Sequence, residues 1–238
     1  MPDFFAASGM EMFFTTFLGA HDWVPASLLL ATWETIYMVA ISTFLSYVVG
    51  LPLGVILVTT FKGHILENQP LHQVLGSIVN AVRSVPFIIF LILLIPLTRL
   101  LVGTYIGTVA SIVPLTLAAI PFVARLVETS LKEIEWGLVE AALSMGASAW
   151  QIISKVLLPE AKPALLLGVA ITAINLVGYS AMAGIVGGGG LGTLAYFYGY
   201  QRYQVVVMWS SVVVLVVLVQ GMQMLGDSLA AKVVNKRR

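Results

Sequence analysis

Five long apolar runs, separated by short polar connections, constrain this chain more than any other feature. They occupy residues 35–61, 74–101, 106–126, 163–186 and 205–225. A helix needs roughly 20 apolar residues to cross the hydrocarbon core of a bilayer. Only helices and closed barrels satisfy every backbone polar group there. The runs reach that length, so the expected fold is all-α and polytopic, with five transmembrane helices. Composition agrees: 59% of the 238 residues are hydrophobic and 10% are charged, against about 25% charged in soluble domains. One membrane domain, residues 32–227, follows an external segment 1–31 and precedes a basic tail 228–238.

The amino-terminal segment carries Asp3, Glu11 and Asp22 and no Lys or Arg through residue 27, so it lacks the positive start of a signal peptide. Phe13, Phe14, Phe17 and Leu18 suit a short interfacial helix, with Trp23 at headgroup level. An odd number of spans puts the two ends on opposite sides. Lys62, Arg125, Lys132, Lys155, Lys162, Lys232, Lys236, Arg237 and Arg238 fall on one side, and Arg99 and Arg202 on the other. The positive-inside rule then places the amino terminus outside and the carboxyl terminus in the cytoplasm.

Between the third and fourth runs lies a polar island, EAALSMGASAWQIISKVLLPEA, residues 140–161. Ser130-Leu-Lys-Glu133 reads as a capping box, so a helix is expected to start at Leu131 and pass through Ala141 and Ala142. Gly146 is placed to end it in the left-handed conformation. Ser148-Ala-Trp-Gln151 is a second capping box, starting a short helix that Pro159 should stop, and Pro163 should open the fourth span. On the short helix, Trp150, Ile153 and Leu157 share a face, with Ile152 and Val156 beside them. Such a face needs a cover, either the chain's own membrane helices or a separate protein.

Several chemistries are missing. Without cysteine there is no disulfide or thiolate site. No Gly-Lys pair occurs, hence no P-loop for ATP. His21, His64 and His72 lie outside the apolar runs, and no acidic residue sits in the middle of one. An ion-driven carrier keeps such a group as its coupling site. The reading is that the chain is not an enzyme, binds no cofactor or metal, and takes its energy from a partner. Its scattered basic residues do not suggest nucleic acid, so membrane lipid is its medium.

Arg83 is the one charge inside a span. Placing an arginine at mid-bilayer costs about 2.5–3.5 kcal/mol on insertion scales, so it should face a cavity or partner unless it snorkels to the surface. With Ser84 it is a candidate gate or pore element, able to meet a substrate carboxylate. Asn175, Tyr179 and Met182 share a helix face, with Ser180 beside them, just ahead of Gly187–Gly190. They either line a path or pack helices through Ala181, Ala183 and Gly184. The glycine run reads as a hinge, and the segment 196–203 as an interfacial tyrosine belt.

The island resembles the cytoplasmic coupling loop of ABC-importer permeases through Glu140, Ala141 and Ala142, Gly146 four residues on, and Leu158-Pro159. The strings RSVPFIIF, IVPLTLAAIPFVARLVE and LVGYSAMAGIVGGGGLGTLAYFYGYQRY are similar to permease subunits of bacterial methionine importers, from about Trp33 to Asp227. That resemblance implies a type I ABC importer permease in the bacterial inner membrane. It further implies a homodimer bound to two ATPase subunits, which hold ATP and Mg, and fed by an external substrate-binding lipoprotein. Residues matching the coupling motif are Glu140, Ala141, Ala142, Gly146, Ala147, Trp150, Leu158 and Pro159. The substrate implied is methionine, L- and also D-. The alternatives are a secondary transporter, a permease for another small amino acid, or a membrane scaffold that docks without transporting.

Overall fold

The structure is a computed structural model describing residues 23–235, with side chains placed for residues 26–232. The expected interfacial helix near Phe13 and the tail residues Lys236, Arg237 and Arg238 lie outside the described residues.

Helix α1 spans Trp23–Thr59, 37 residues. The second apolar run is broken into α2 (Gln69–Arg83), α3 (Phe87–Leu93) and α4 (Ile95–Val102). Pro86 causes the main break, because the residue before a proline is pushed out of the helical region. The chain bends by 102° there. Asn68 caps α2 by accepting the Leu71 N–H at 3.1 Å. Helix α5 (Thr108–Lys132) continues through Pro114 and Pro121 without a break. A short helix, α6 (Trp136–Ser144), follows. The next stretch, α7 (Ala149–Ile185), is continuous but contains a wider π-helical turn at Ile153–Leu157. A glycine turn leads to α8 (Gly190–Thr193), a second π-helical segment at Leu194–Gln201, and the last helix, α9 (Val205–Asn235). Among the described residues four helices are long and apolar enough to cross a membrane, and five if the bent pair counts as one span.

Three expectations are corrected. Ser130 and Glu133 form no capping box. They sit in and just after the last turn of α5, because Leu131 is buried in the core and draws the helix onward to Lys132. Pro159 stops nothing. The π-helical turn just before it loosens the backbone where the proline ring would otherwise crowd a carbonyl, so the helix runs on. Pro163 is therefore an interior residue of α7, and Pro159 holds the first-turn position after the widened turn.

The most extensive helix contact is between α1 and α5. It depends on small residues. Ser42, Ser46, Gly50 and Gly54 are buried at spacing four along α1. A Cβ at Gly50 would lie 2.8 Å from the Val123 Cβ, and one at Gly54 2.6 Å from the Val127 Cβ and 2.7 Å from the Ala124 carbonyl oxygen. Lipid-facing helices gain nothing from hydrophobic exclusion of each other, so such close backbone approach supplies their adhesion. At one end the pair is tied to α2: Arg125 donates to the Gly76 carbonyl at 3.1 Å and to the Asn80 Oδ1 at 2.9 Å. Arg125 also pairs with the buried Glu128, which receives Lys132 at 2.7 Å.

Overpacking a filled contact costs about 1–3 kcal/mol. Gly54→Ala is expected to lower the melting temperature of the detergent-solubilised protein. Val127→Ala should restore only part of the loss, since the Ala124 carbonyl still meets the new methyl. Unchanged melting in Gly54→Ala would show that the helices are not in contact there.

Candidate functional site

The polar island folds as a compact turn of two helices at the end of the bundle where α1 finishes. Gly146 has φ +76°. The Ala147 N–H reaches the Ala142 carbonyl at 3.0 Å and the Gly146 N–H the Leu143 carbonyl at 2.9 Å, the paired bonds of a Schellman cap. Ser148 then caps α7. Its Oγ accepts the Gln151 N–H at 3.4 Å, while Gln151 Oε1 accepts the Ser148 N–H at 2.8 Å. The second expected capping box and the left-handed glycine are thus both present.

The apolar face of the island divides. Ile152, Ile153 and Leu157 are buried in one cluster with Val55 and Val58 of α1, Val123, Val127 and Leu131 of α5, and Val139 and Ala142 of α6. They are covered by the chain's own helices. Trp150 is not with them: it is 73% exposed, and Met145 is 81% exposed. Ile153 and Leu157 stay together on the core side, while Trp150, in the turn ahead of the π-helical segment, lies on the uncovered side, so the face expected to unite the three does not form. Of the island residues, Glu140, Ala141, Gly146, Trp150 and Pro159 are exposed, Ala147 and Leu158 are partly buried, and Ala142 is in the core. Met145 was legible as an apolar residue beside a turn glycine in a polar stretch. Leu138 and Leu143, at 45% and 44% exposure, add to the uncovered apolar surface.

Halfway along the bundle, Arg83, Asn175 and Tyr179 line one cavity of about 260 Å³ with Phe87, Phe90, Ala118 and Phe122. Tyr179 stacks flat on Phe87, with ring centroids 4.4 Å apart. Ala118 and Phe122 lie at the middle of α5, about half a turn to either side of its centre. Arg83 is exposed at the edge of this cavity, beside these groups. Its neighbours at hand are an amide, a phenol and aromatic rings, and it has no ion-pair partner among the described residues. A cation held among such groups can receive a carboxylate, and the rings can hold an apolar side chain. The other candidates stand apart. Ser84 donates to the Asn80 carbonyl at 2.8 Å. Ser180 is buried and donates to the Val177 carbonyl at 2.7 Å. Met182 is 43% exposed on α7, beyond the cavity lining. Open small positions at Gly178 and Gly221, where an added Cβ would meet nothing, accompany it on the surfaces of α7 and α9.

His64, in the connection after α1, packs edge-on against Trp136 at the start of α6, with centroids 5.2 Å apart. Its Nδ1 is buried without a partner, and burial holds its pKa below the ordinary histidine value. The unfolded chain therefore binds the proton more readily. Stability from the neutral ring is complete above the unfolded pKa and is lost as pH falls through the folded one. Melting of the purified protein between pH 7.5 and 5 is expected to show this loss, and His64→Phe to flatten it. Equal slopes for both proteins would remove His64 as the cause.

The comparisons with known proteins can be set against this geometry. Residues 50–238 match the family model of binding-protein-dependent transport system inner membrane components. The probable D-methionine transport system permease protein MetI of Vibrio cholerae is 58% identical over 206 residues, covering 87% of this chain and 92% of that protein. The D-methionine transport system permease protein MetI of Escherichia coli K12 is 54% identical over 152 residues, 64% of this chain and 70% of that one. Among solved structures, an inward-facing MetNI methionine ABC transporter superposes with a TM-score of 0.89 at 49% identity, covering 90% of this chain and 99% of that one. An amino-acid ABC transporter crystallised with histidines superposes at 0.71 with 18% identity, a likeness of fold alone.

Proposed function

The chain belongs to the family of binding-protein-dependent transport system inner membrane components, and from that membership we propose that it is the translocation subunit of an ATP-driven methionine importer. The family is one of membrane permeases, not enzymes. The observation that carries the proposal is the island. It is anchored in the bundle through Val139, Ala142, Ile152 and Leu157, yet leaves Met145 and Trp150 uncovered. Uncovered anchors beside a rigid turn suit a partner with a cleft, and the chain has no nucleotide loop of its own. The partner is an ABC ATPase, two copies per complex, which holds ATP and Mg. The contact is made by Glu140, Ala141, Gly146, Met145 and Trp150, while Ala142, Ala147, Leu158 and Pro159 set the shape of the loop.

The loop end carries Lys62, Arg125, Lys132, Lys155 and Lys162, which supports its lying in the cytoplasm with the amino terminus outside. Two copies meet about an axis through α7 and α9, where Gly178, Gly221 and a row of exposed valines offer close approach. An external lipoprotein delivers the amino acid. The path passes the cavity of Arg83, Asn175 and Tyr179, with Arg83 meeting the carboxylate and Phe87 and Phe90 the side chain. Met182, further along α7, closes the outer constriction as a soft apolar gate. Ser84 and Ser180 support the path through the backbone of their own helices and do not line the cavity.

A secondary transporter would work without the ATPase, and the test separates the two. In proteoliposomes holding permease and ATPase, with binding protein outside and ATP inside, labelled L-methionine should accumulate and ignore a protonophore. Arg83→Gln should raise the KM about tenfold, the loss of one charge-assisted bond, and Met182→Ala should leak preloaded methionine. Uptake without ATP that collapses with the protonophore would overturn the importer reading. Unchanged kinetics in both variants would overturn the path.

A further inference from the structure

The glycine run after α7 is held by two helices at once. From α1, Glu34 Oε2 accepts the Gly190 N–H at 2.7 Å, and Thr35 Oγ1 accepts the Leu191 N–H at 3.0 Å. From the start of α5, Ser111 Oγ shares its proton between the Gly188 carbonyl at 3.2 Å and the Gly107 carbonyl at 3.1 Å, and the N–H of Gly107, the residue that caps α5, donates to the Gly187 carbonyl at 2.9 Å. Thr193 Oγ1 closes the turn on itself, its one proton shared between the carbonyls of Gly184 at 3.2 Å and Gly189 at 3.0 Å. There is no slack. A Cβ at Gly188 would lie 2.5 Å from Ser111 Oγ, one at Gly189 2.2 Å from Thr108 Cγ2, and one at Gly190 2.6 Å from Thr35 Oγ1. The expected free hinge is instead a clamped turn.

Glu34 gives the clamp its charge. Gly187, Gly189 and Gly190 all have positive φ, between +70° and +83°. These conformations present the Gly190 N–H to the Glu34 carboxylate, and among the described residues Glu34 has no ion-pair partner. A half-buried carboxylate without a cation is stabilised by the N–H it accepts.

We infer that Glu34 is a positioning residue that carries motion of the α1–α5 pair to the glycine turn beside the gate; this rests on the permease reading. Helices α1 and α5 are locked together through Gly50 and Gly54. Their far ends, Val55, Val58, Val127 and Leu131, pack on the island residues Val139, Ala142 and Ile152. A tilt imposed there by the ATPase is delivered to the other end as one body. Ser111 and Gly107 pass it on from α5, and Glu34 and Thr35 pass it on from α1. Without the carboxylate, Gly190 loses its anchor and the turn lags behind the helices. ATP is then spent on cycles in which the gate does not follow.

The test uses the permease–ATPase complex in lipid nanodiscs and proteoliposomes, with Glu34→Ala and Glu34→Gln. The glutamine variant keeps an acceptor oxygen for the Gly190 N–H. In Glu34→Ala, amide exchange across residues 187–191 should quicken roughly 10- to 100-fold, the loss of a charge-assisted bond. Exchange across residues 165–178 should be unchanged. Methionine moved per ATP should drop about tenfold with an unaltered KM, and Glu34→Gln should recover most of both losses. Unchanged exchange at the turn, or a transport-to-ATP ratio within about twofold of the parent, would overturn the inference. A parent complex that hydrolyses ATP without moving methionine would instead overturn the importer reading, and the exchange measurement would still decide the clamp.

Discussion

The close approach of α1 to α5 is the contact on which the rest of the molecule depends. It exists because Gly50 and Gly54 leave no side chain where Val123, Val127 and the carbonyls of Ile120 and Ala124 come in. In lipid, helices associate by packing and not by fleeing water, so a seam of small residues does what an apolar core does in a soluble protein. The island is attached to one end of this seam and the glycine turn to the other.

At the loop end, the seam continues into the cluster that anchors the island, so the turn at Gly146 is a rigid extension of the bundle and not a flexible tether. Glu128 reinforces it. A buried carboxylate would be costly alone, but Arg125 and Lys132 both reach it, and Arg125 also holds α2. At the far end, Glu34, Thr35, Gly107 and Ser111 fix the glycine turn. Between them lies the cavity of Arg83, Asn175 and Tyr179. One stiff pair of helices therefore spans the distance from the island to the glycine turn, and α5 lines the cavity on the way.

Much of this was legible in the sequence. Run lengths gave the helical membrane class, and the Ser148–Gln151 box and Gly146 gave the local shape of the island, because these signals act within a few residues. Arg83, Asn175 and Tyr179 were also visible as polar groups in apolar surroundings. That they share one cavity was not, since it depends on the 102° bend near Pro86, which lays α3 against α7 and leaves the end of α2 at the cavity. The face of Trp150, Ile153 and Leu157 failed for a similar reason. Helical spacing groups Trp150 with Ile153 and Leu157 but does not say how far round the helix the neighbouring elements reach, and their cover stops short of Trp150. The Ser42, Ser46, Gly50 and Gly54 ridge stands at plain spacing four, but spacing does not say which helix it meets. Glu34 looked like an ordinary residue at a span end, because its partner lies 156 positions away.

The central claim is that an outside ATPase drives this chain through the uncovered surface of the island. The absence of native cysteine allows it to be tested directly. Single cysteines at Met145 and Trp150 should cross-link to the ATPase subunit in the assembled complex. A cysteine at the buried Val139 should not, and Met145→Glu with Trp150→Glu should release the ATPase while the permease remains in the membrane. If the doubly charged variant retains its ATPase at parental yield, and neither exposed cysteine cross-links, the island is not the coupling surface and the account fails.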